Sequence, residues 1–132
     1  MRFMMLMIPK GYETAKPGTM PDSEGVKAML SYNEKLQKAG VLLALDGLHP
    51  PSMGTRVTFE AGKVSVSDGP FAETKEVVGG YWMLQVKSRE EAVEWARRCP
   101  VHEDCVIEVR QVHDLTEFSE DVQQHARNLK WL

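Results

Sequence analysis

Apolar positions follow two rhythms along the chain, and the switches between them mark out the elements. Residues 2–8 are apolar at nearly every position, the pattern of a strand covered on both faces. Residues 9–21 carry Gly11, Pro17, Gly18 and Pro21, which predicts an unusually long loop, either a lid over a site or a mobile segment. Asp22 or Ser23 can cap a helix reaching about Ala39, with Val26, Met29, Leu30 and Leu36 on its apolar side and Gly40 ending it. Residues 41–45 form a short apolar strand, and DGLHPPSMGT (46–55) is a turn-rich connection with two prolines and two glycines.

Residues 56–59 and 63–67 flank Glu60-Ala61-Gly62 and read as a hairpin. Asp68-Gly69-Pro70-Phe71 is a turn, and residues 77–86 are the strongest strand after the first, interrupted by Gly79-Gly80. Ser88-Arg89-Glu90-Glu91 fits a capping box opening a helix that sets Ala92, Trp95, Ala96 and Cys99 on one face and stops before Pro100. Residues 105–112 alternate Ile107 and Val109 with Glu108 and Arg110, as a half-exposed strand does. Setting the hairpin aside, the order is strand, helix, strand, strand, helix, strand. The expected fold is therefore α+β, a ferredoxin-like βαββαβ domain over residues 1–112 with an inserted hairpin.

Residues 113–132 form a separate signal. Leu115, Phe118, Val122, His125, Leu129 and Leu132 alternate at spacings of three and four, an a/d stripe with His125 as its one polar member. Two and a half heptads do not sustain a free coiled coil, so this helix is expected to dock on its own domain or on a partner subunit.

Composition narrows the function classes. The 132 residues carry 16 basic and 19 acidic side chains, for a net charge of −3, which argues against a broad surface for direct nucleic-acid binding. The opening MRFMMLMIP has a single arginine and no small-residue cleavage site, so it reads as a buried strand rather than a signal peptide. No run approaches the length of a membrane span. A cytoplasmic location is expected. Cys99 and Cys105 match neither a CxxC redox pair nor a repeated zinc spacing and read as reduced thiols. The histidines show no HxH, HxxxH or HExxH spacing, so no metal is expected. Without a Walker A loop, a GxGxxG or a GxSxG motif, no cofactor is expected either.

The stretch SDGPFAETKEVVGGYWMLQV (67–86), followed by SREEAVEWARRCP and VIEVRQV, resembles the DGPF branch of the YciI-like superfamily over nearly the whole chain. That resemblance implies a ferredoxin-like fold pairing through its sheets into a dimeric α/β barrel, with a cleft near the DGPF turn. A YciI-like relative is similar to a dehydrochlorinase of chlorinated hydroxyquinols that relies on a His–Asp pair. Its Asp sits in the DGP-type turn and matches Asp68. Its His lies early in the first helix, and residues 22–39 contain no histidine.

Asp68 is thus a candidate acid–base group, the plainer reading being an Asx turn accepting backbone amides. His49, in a loop rich in Gly and Pro, carries an imidazole, a side-chain type suited to acid–base work, and is the candidate to stand in for the helix histidine, against the plainer reading of an exposed loop residue. Gly69, Pro70, Phe71, Glu73 and Lys75 are candidate ligand contacts around the turn, the two charges equally able to pair in solvent. Gly79-Gly80 permits close approach of a ligand or of another backbone. Tyr81 and Trp82 alternate across their strand, so one of them faces the cleft.

Two functions fit. One is a non-catalytic small-ligand-binding or regulatory module, with the resemblance implying association with transcription initiation through a protein partner of the sigma-factor type. The other is a small-molecule enzyme, lyase- or dehydrochlorinase-like, centred on Asp68. A homodimer is expected in either case, burying about 1,000 Å² or more.

Overall fold

The computed structural model describes residues 1–72 and 74–129. Over these residues the chain runs β1 (Arg2–Ile8), α1 (Ser23–Lys38), β2 (Leu42–Gly47), β3 (Thr55–Glu60), β4 (Lys63–Asp68), β5 (Gly80–Gln85), α2 (Arg89–Arg97), β6 (Val106–Gln111) and α3 (Glu120–Asn128), with single 3-10 turns at Tyr12–Thr14, Pro51–Met53 and Leu115–Glu117. Four strands form one antiparallel sheet in the order β2-β5-β1-β6, while β3 and β4 pair as a separate two-stranded sheet. This α+β arrangement is compatible with a ferredoxin-like fold.

Helices α1 and α2 close over one face of the sheet. Phe3 and Met5 from β1, with Trp82 and Leu84 from β5 and Val86 just beyond it, bury against Tyr32 and Leu36 of α1 and Ala92 and Trp95 of α2. Tyr32 locks the layers together. Its ring meets Trp82 edge-on at 5.9 Å and 90°, and its hydroxyl donates to the Trp95 carbonyl at 2.6 Å.

The helix starts follow the capping residues. Asp22 accepts the Gly25 amide at 3.3 Å and Ser88 accepts the Glu91 amide at 3.1 Å. The Glu91 carboxylate takes the Lys87 amide at 2.9 Å, one residue further back than the box pattern predicts. Gly40, at φ 73°, ends the α1 segment in the left-handed region.

Several expectations are corrected. Within one protomer β1 is covered on one face: Phe3 and Met5 are buried, whereas Met4, Leu6 and Ile8, which share the other face with Tyr81 and Met83, are half-buried. β5 starts at Gly80 rather than at residue 77. Its neighbour β1 ends before Pro9, which has no N–H to extend a ladder. β2 runs on to Gly47 because Asp46 and Gly47 pair with Tyr81 and Gly80, and its register shifts between Leu42 and Ala44. On α1, Val26 and Leu30 stay exposed instead of entering the core.

The C-terminal stripe is not one helix. Asp114 caps a 3-10 turn by accepting the Thr116 amide at 2.9 Å, and Ser119 restarts the chain as α3 by accepting the Val122 amide at 3.4 Å. The Thr116 amide and hydroxyl hold the Asp114 carboxyl below its ordinary value. Phe118, Val122 and Leu129 stay exposed, whereas Ala126 is buried. Leu132, the last member of the predicted stripe, lies outside the described residues.

Candidate functional site

A cleft of about 630 Å³ opens at one end of the sheet, where the end of β1, the end of β2 and the start of β5 meet the N-terminal half of α1. Residues 12–21 and the 100–105 loop complete its wall. The volume lies within the range of small-ligand sites. Met7, Met29, Leu45, Val101 and the Trp82 indole give it an apolar lining. Val26 and Leu30, the α1 residues missing from the core, front this cleft.

Close backbone contacts build the cleft. The Gly79 amide donates to the Met7 carbonyl at 2.8 Å, and its own carbonyl accepts the Leu48 amide at 2.9 Å. A Cβ on Gly79 would lie 2.9 Å from Pro9 Cγ, and one on Gly80 would lie 3.0 Å from the Asp46 carbonyl. The glycine pair therefore serves the approach of protein to protein. The Tyr12 hydroxyl donates to the Leu48 carbonyl, and the Ser52 hydroxyl donates to the Ala15 carbonyl at 2.8 Å. Residues 9–21 are thus tied at two points to the connection between β2 and β3.

Polar groups in the cleft are few. The Trp82 indole nitrogen donates to Asn33 Oδ1 at 2.7 Å. Asp22, Asp46, His49, His102 and Cys105 also line the wall, and among the described residues no lysine or arginine does. Burial raises the Tyr12 phenol. Tyr81, paired with Asp46 across the strands, donates to its carboxylate at 3.0 Å, and that bond raises the phenol. Behind Cys105, the Cys99 thiol is pushed up to about 12 by burial, with the neighbouring Cys105 adding to the effect.

The sequence-predicted residues separate into two groups. His49, Tyr81 and Trp82 line the cleft, whereas Asp68, Gly69, Pro70, Phe71 and Lys75 do not. Asp68 ends β4, exposed, and its Oδ1 accepts the Thr55 hydroxyl at 2.9 Å rather than backbone amides. The Gly69 amide donates to the Gly54 carbonyl at 2.8 Å, and a Cβ on Gly69 would fall 1.9 Å from the Pro51 carbonyl oxygen. Phe71 lies beneath the Arg56 guanidinium at 4.0 Å, and Pro70 and Lys75 are exposed. The turn thus seats the root of the β3–β4 hairpin on the 3-10 turn at Pro51–Met53. Glu73 lies outside the described residues.

Among the described residues, the imidazole paired with a carboxylate is that of His113, on Glu117 at 3.3 Å, and neither lines the cleft. No group of three or more metal-ligating side chains occurs among them. Asn33 and Tyr12 belong to the cleft but carry no signal in the sequence, and Met29, read there as part of the apolar side of the first helix, lines the cleft as well. The apolar turn of α1 from Val26 to Leu30 was the one local hint.

The comparisons with known proteins carry little chemistry. The family model described as YCII-related domain matches residues 1–116. An uncharacterized protein of Rhizobium meliloti (strain 1021) is 33% identical over 76 residues, covering 58% of this chain and 61% of the relative. The chain therefore spans about three fifths of the length of that relative. No helix among the described residues is long and apolar enough to cross a membrane.

Proposed function

The chain belongs to the YCII-related domain family, and from that starting point we propose that it is a non-catalytic binder of a small, apolar, uncharged or cationic molecule. The observation that carries this reading is the make-up of the cleft: about 630 Å³, walled largely by methionine, leucine, valine and tryptophan, with Asp22 and Asp46 at its edge and, among the described residues, no lysine or arginine to receive an anion. Desolvating a carboxylate or phosphate there without a cation would be strongly unfavourable.

The acid–base alternative draws support from His49 in the cleft wall. It is weakened by Asp68, which is bonded to Thr55 at the hairpin root. For either reading, a homodimer formed through the open sheet face is the working assembly, supported by half-buried Met4, Leu6, Ile8 and Met83 on that face. Any regulatory output of this cytoplasmic module runs through a protein partner, in keeping with the net charge of −3.

Two dyes that share a ring skeleton test the reading. N-phenylnaphthylamine is uncharged, and its sulfonated analogue is an anion. The expected result is saturable binding of the uncharged dye, with a shift of the Trp82 indole resonance, and much weaker binding of the sulfonate. Equal binding of both, or an unmoved Trp82, would count against the cleft as the site.

A further inference from the structure

A second cavity lies on the other side of Pro100, which borders both. It is a groove of about 280 Å³ between the C-terminal halves of α1 and α2, floored by Tyr32 and Trp95 and flanked by Ser31, Lys35 and Arg98. Among the described residues no carboxylate lines it. We infer that this groove is a binding site for a small oxyanion, the phosphate or carboxylate of a compact ligand, held between Lys35 and Arg98.

Three observations converge on it. The first is the state of the two cations. Neither Lys35 nor Arg98 lies within 4.0 Å of a carboxylate among the described residues, a state that Arg2, Lys16, Arg56, Lys63, Lys75, Lys87, Arg89 and Arg97 share, but Lys35 and Arg98 come from two different helices to flank one groove. In a chain of net charge −3, a groove with two unpaired cations and no acid is a local reversal of sign.

The second is that Arg98 is already ordered. Its guanidinium sits 4.0 Å above the Trp95 ring, and its Nε donates to the Glu94 carbonyl at 3.5 Å. The terminal nitrogens have no protein acceptor among the described residues, so the planar face is fixed and its outer donors are free. Binding an oxyanion there freezes little further motion, which is the condition for a weak contact to become a useful one.

The third is chemical fit. The Ser31 hydroxyl lines the groove beside the two cations and supplies a neutral donor. The positive charge reaches the floor, where Arg98 opposes the burial that raises the Tyr32 phenol. The volume falls below the range for drug-sized ligands, which suits an anionic head group rather than a large molecule.

Lys35 and Arg98 also sit at helix C-termini, where carbonyl dipoles favour cations. A purely helix-capping role predicts no response to oxyanions, and this separates the two explanations. Inorganic phosphate is titrated into the full chain at constant ionic strength, balanced with chloride, while the Trp95 and Trp82 indole resonances are followed. The inference expects a saturable shift of Trp95 with Trp82 unmoved, and a loss of affinity of about tenfold in Arg98→Gln. Lys35→Gln, a change at an exposed helix position, is expected to weaken binding in the same way without touching the Trp95 stack. A linear drift indistinguishable from chloride, or an unchanged curve in Lys35→Gln, overturns it.

Discussion

The Trp82 indole nitrogen donates to Asn33 Oδ1 across 2.7 Å, pinning the middle of β5 to the middle of α1 at the floor of a largely apolar cleft. Trp82 is only 4% exposed, so its N–H has little access to water. Asn33→Leu leaves that donor buried without its protein acceptor. The expected loss is about 1–3 kcal/mol of unfolding free energy, read from the urea midpoint at unchanged slope. A midpoint matching the parent would mean that water or a neighbouring group takes the proton.

Leu36 is fully buried beneath the sheet. Leu36→Ala removes its side-chain carbons from a packed core and is expected to lower stability by about 2–5 kcal/mol in the same denaturation experiment. By contrast Phe59, 77% exposed on the hairpin, loses little within the protomer. Phe59→Ser is expected to stay within about 0.5 kcal/mol of the parent.

Gly69→Ala places a Cβ against the Pro51 carbonyl oxygen, a clash that only a backbone shift relieves. Every residue of β3 and β4 is exposed, and a lone two-stranded hairpin is marginal in water. The expected outcome is faster amide exchange across the β3–β4 ladder with protection retained at Phe3 and Leu84. Uniform loss of protection, or none, would show that the turn does not act as the hairpin's anchor.

The Cys99 thiol is raised from 9.0 to about 12, chiefly by burial. An upward shift of an acid that is neutral when folded means that the unfolded chain releases its proton first. The contribution to stability is complete below pH 9, declines above it, and is lost as pH approaches 12. Tyr32, also raised by burial, has the same sign from pH 10 upward. Urea midpoints should therefore fall with rising alkalinity, more steeply than in Cys99→Ala. A thiol reagent should modify Cys105 before Cys99.

Leu6 stands near the centre of the open sheet face, opposite Tyr81 on one side and Glu108 on the other. Leu6→Lys is expected to prevent the proposed homodimer, so that the variant sediments as protomers where the parent sediments as dimers. Deleting residues 115–132 is expected to weaken the dimer if the C-terminal segment docks in trans. A dimer unaltered by Leu6→Lys would place the interface elsewhere.

What the sequence disclosed was local. Asp22 and Ser88 announced their helices because a cap needs only the next three residues, and Ile107 and Val109 announced β6 because alternation is a property of the strand alone. The C-terminal stripe misled because its spacing ignores Asp114 and Ser119, whose side chains each begin a new helical turn. The cleft was visible only in part, through His49, Tyr81 and Trp82. Asn33, Tyr12 and Met29 meet there from segments far apart in the chain, and no residue spacing encodes such a meeting. Asp68 stood out by its motif, yet its hydrogen bond is to Thr55, thirteen residues earlier.

The slip in register between Leu42 and Ala44 bears on how the molecule behaves in a crowd. β2 is the outer strand of its sheet, and a straight outer strand is a template onto which another chain can add. A bulge there twists the strand and throws its free amides and carbonyls out of step with any straight newcomer. At the opposite margin, β6 turns Glu108 and Arg110 outward from the helix-covered side. Both margins thus discourage runaway growth of the sheet into fibrils, leaving its broad face as the surface through which copies can meet in a closed, countable assembly.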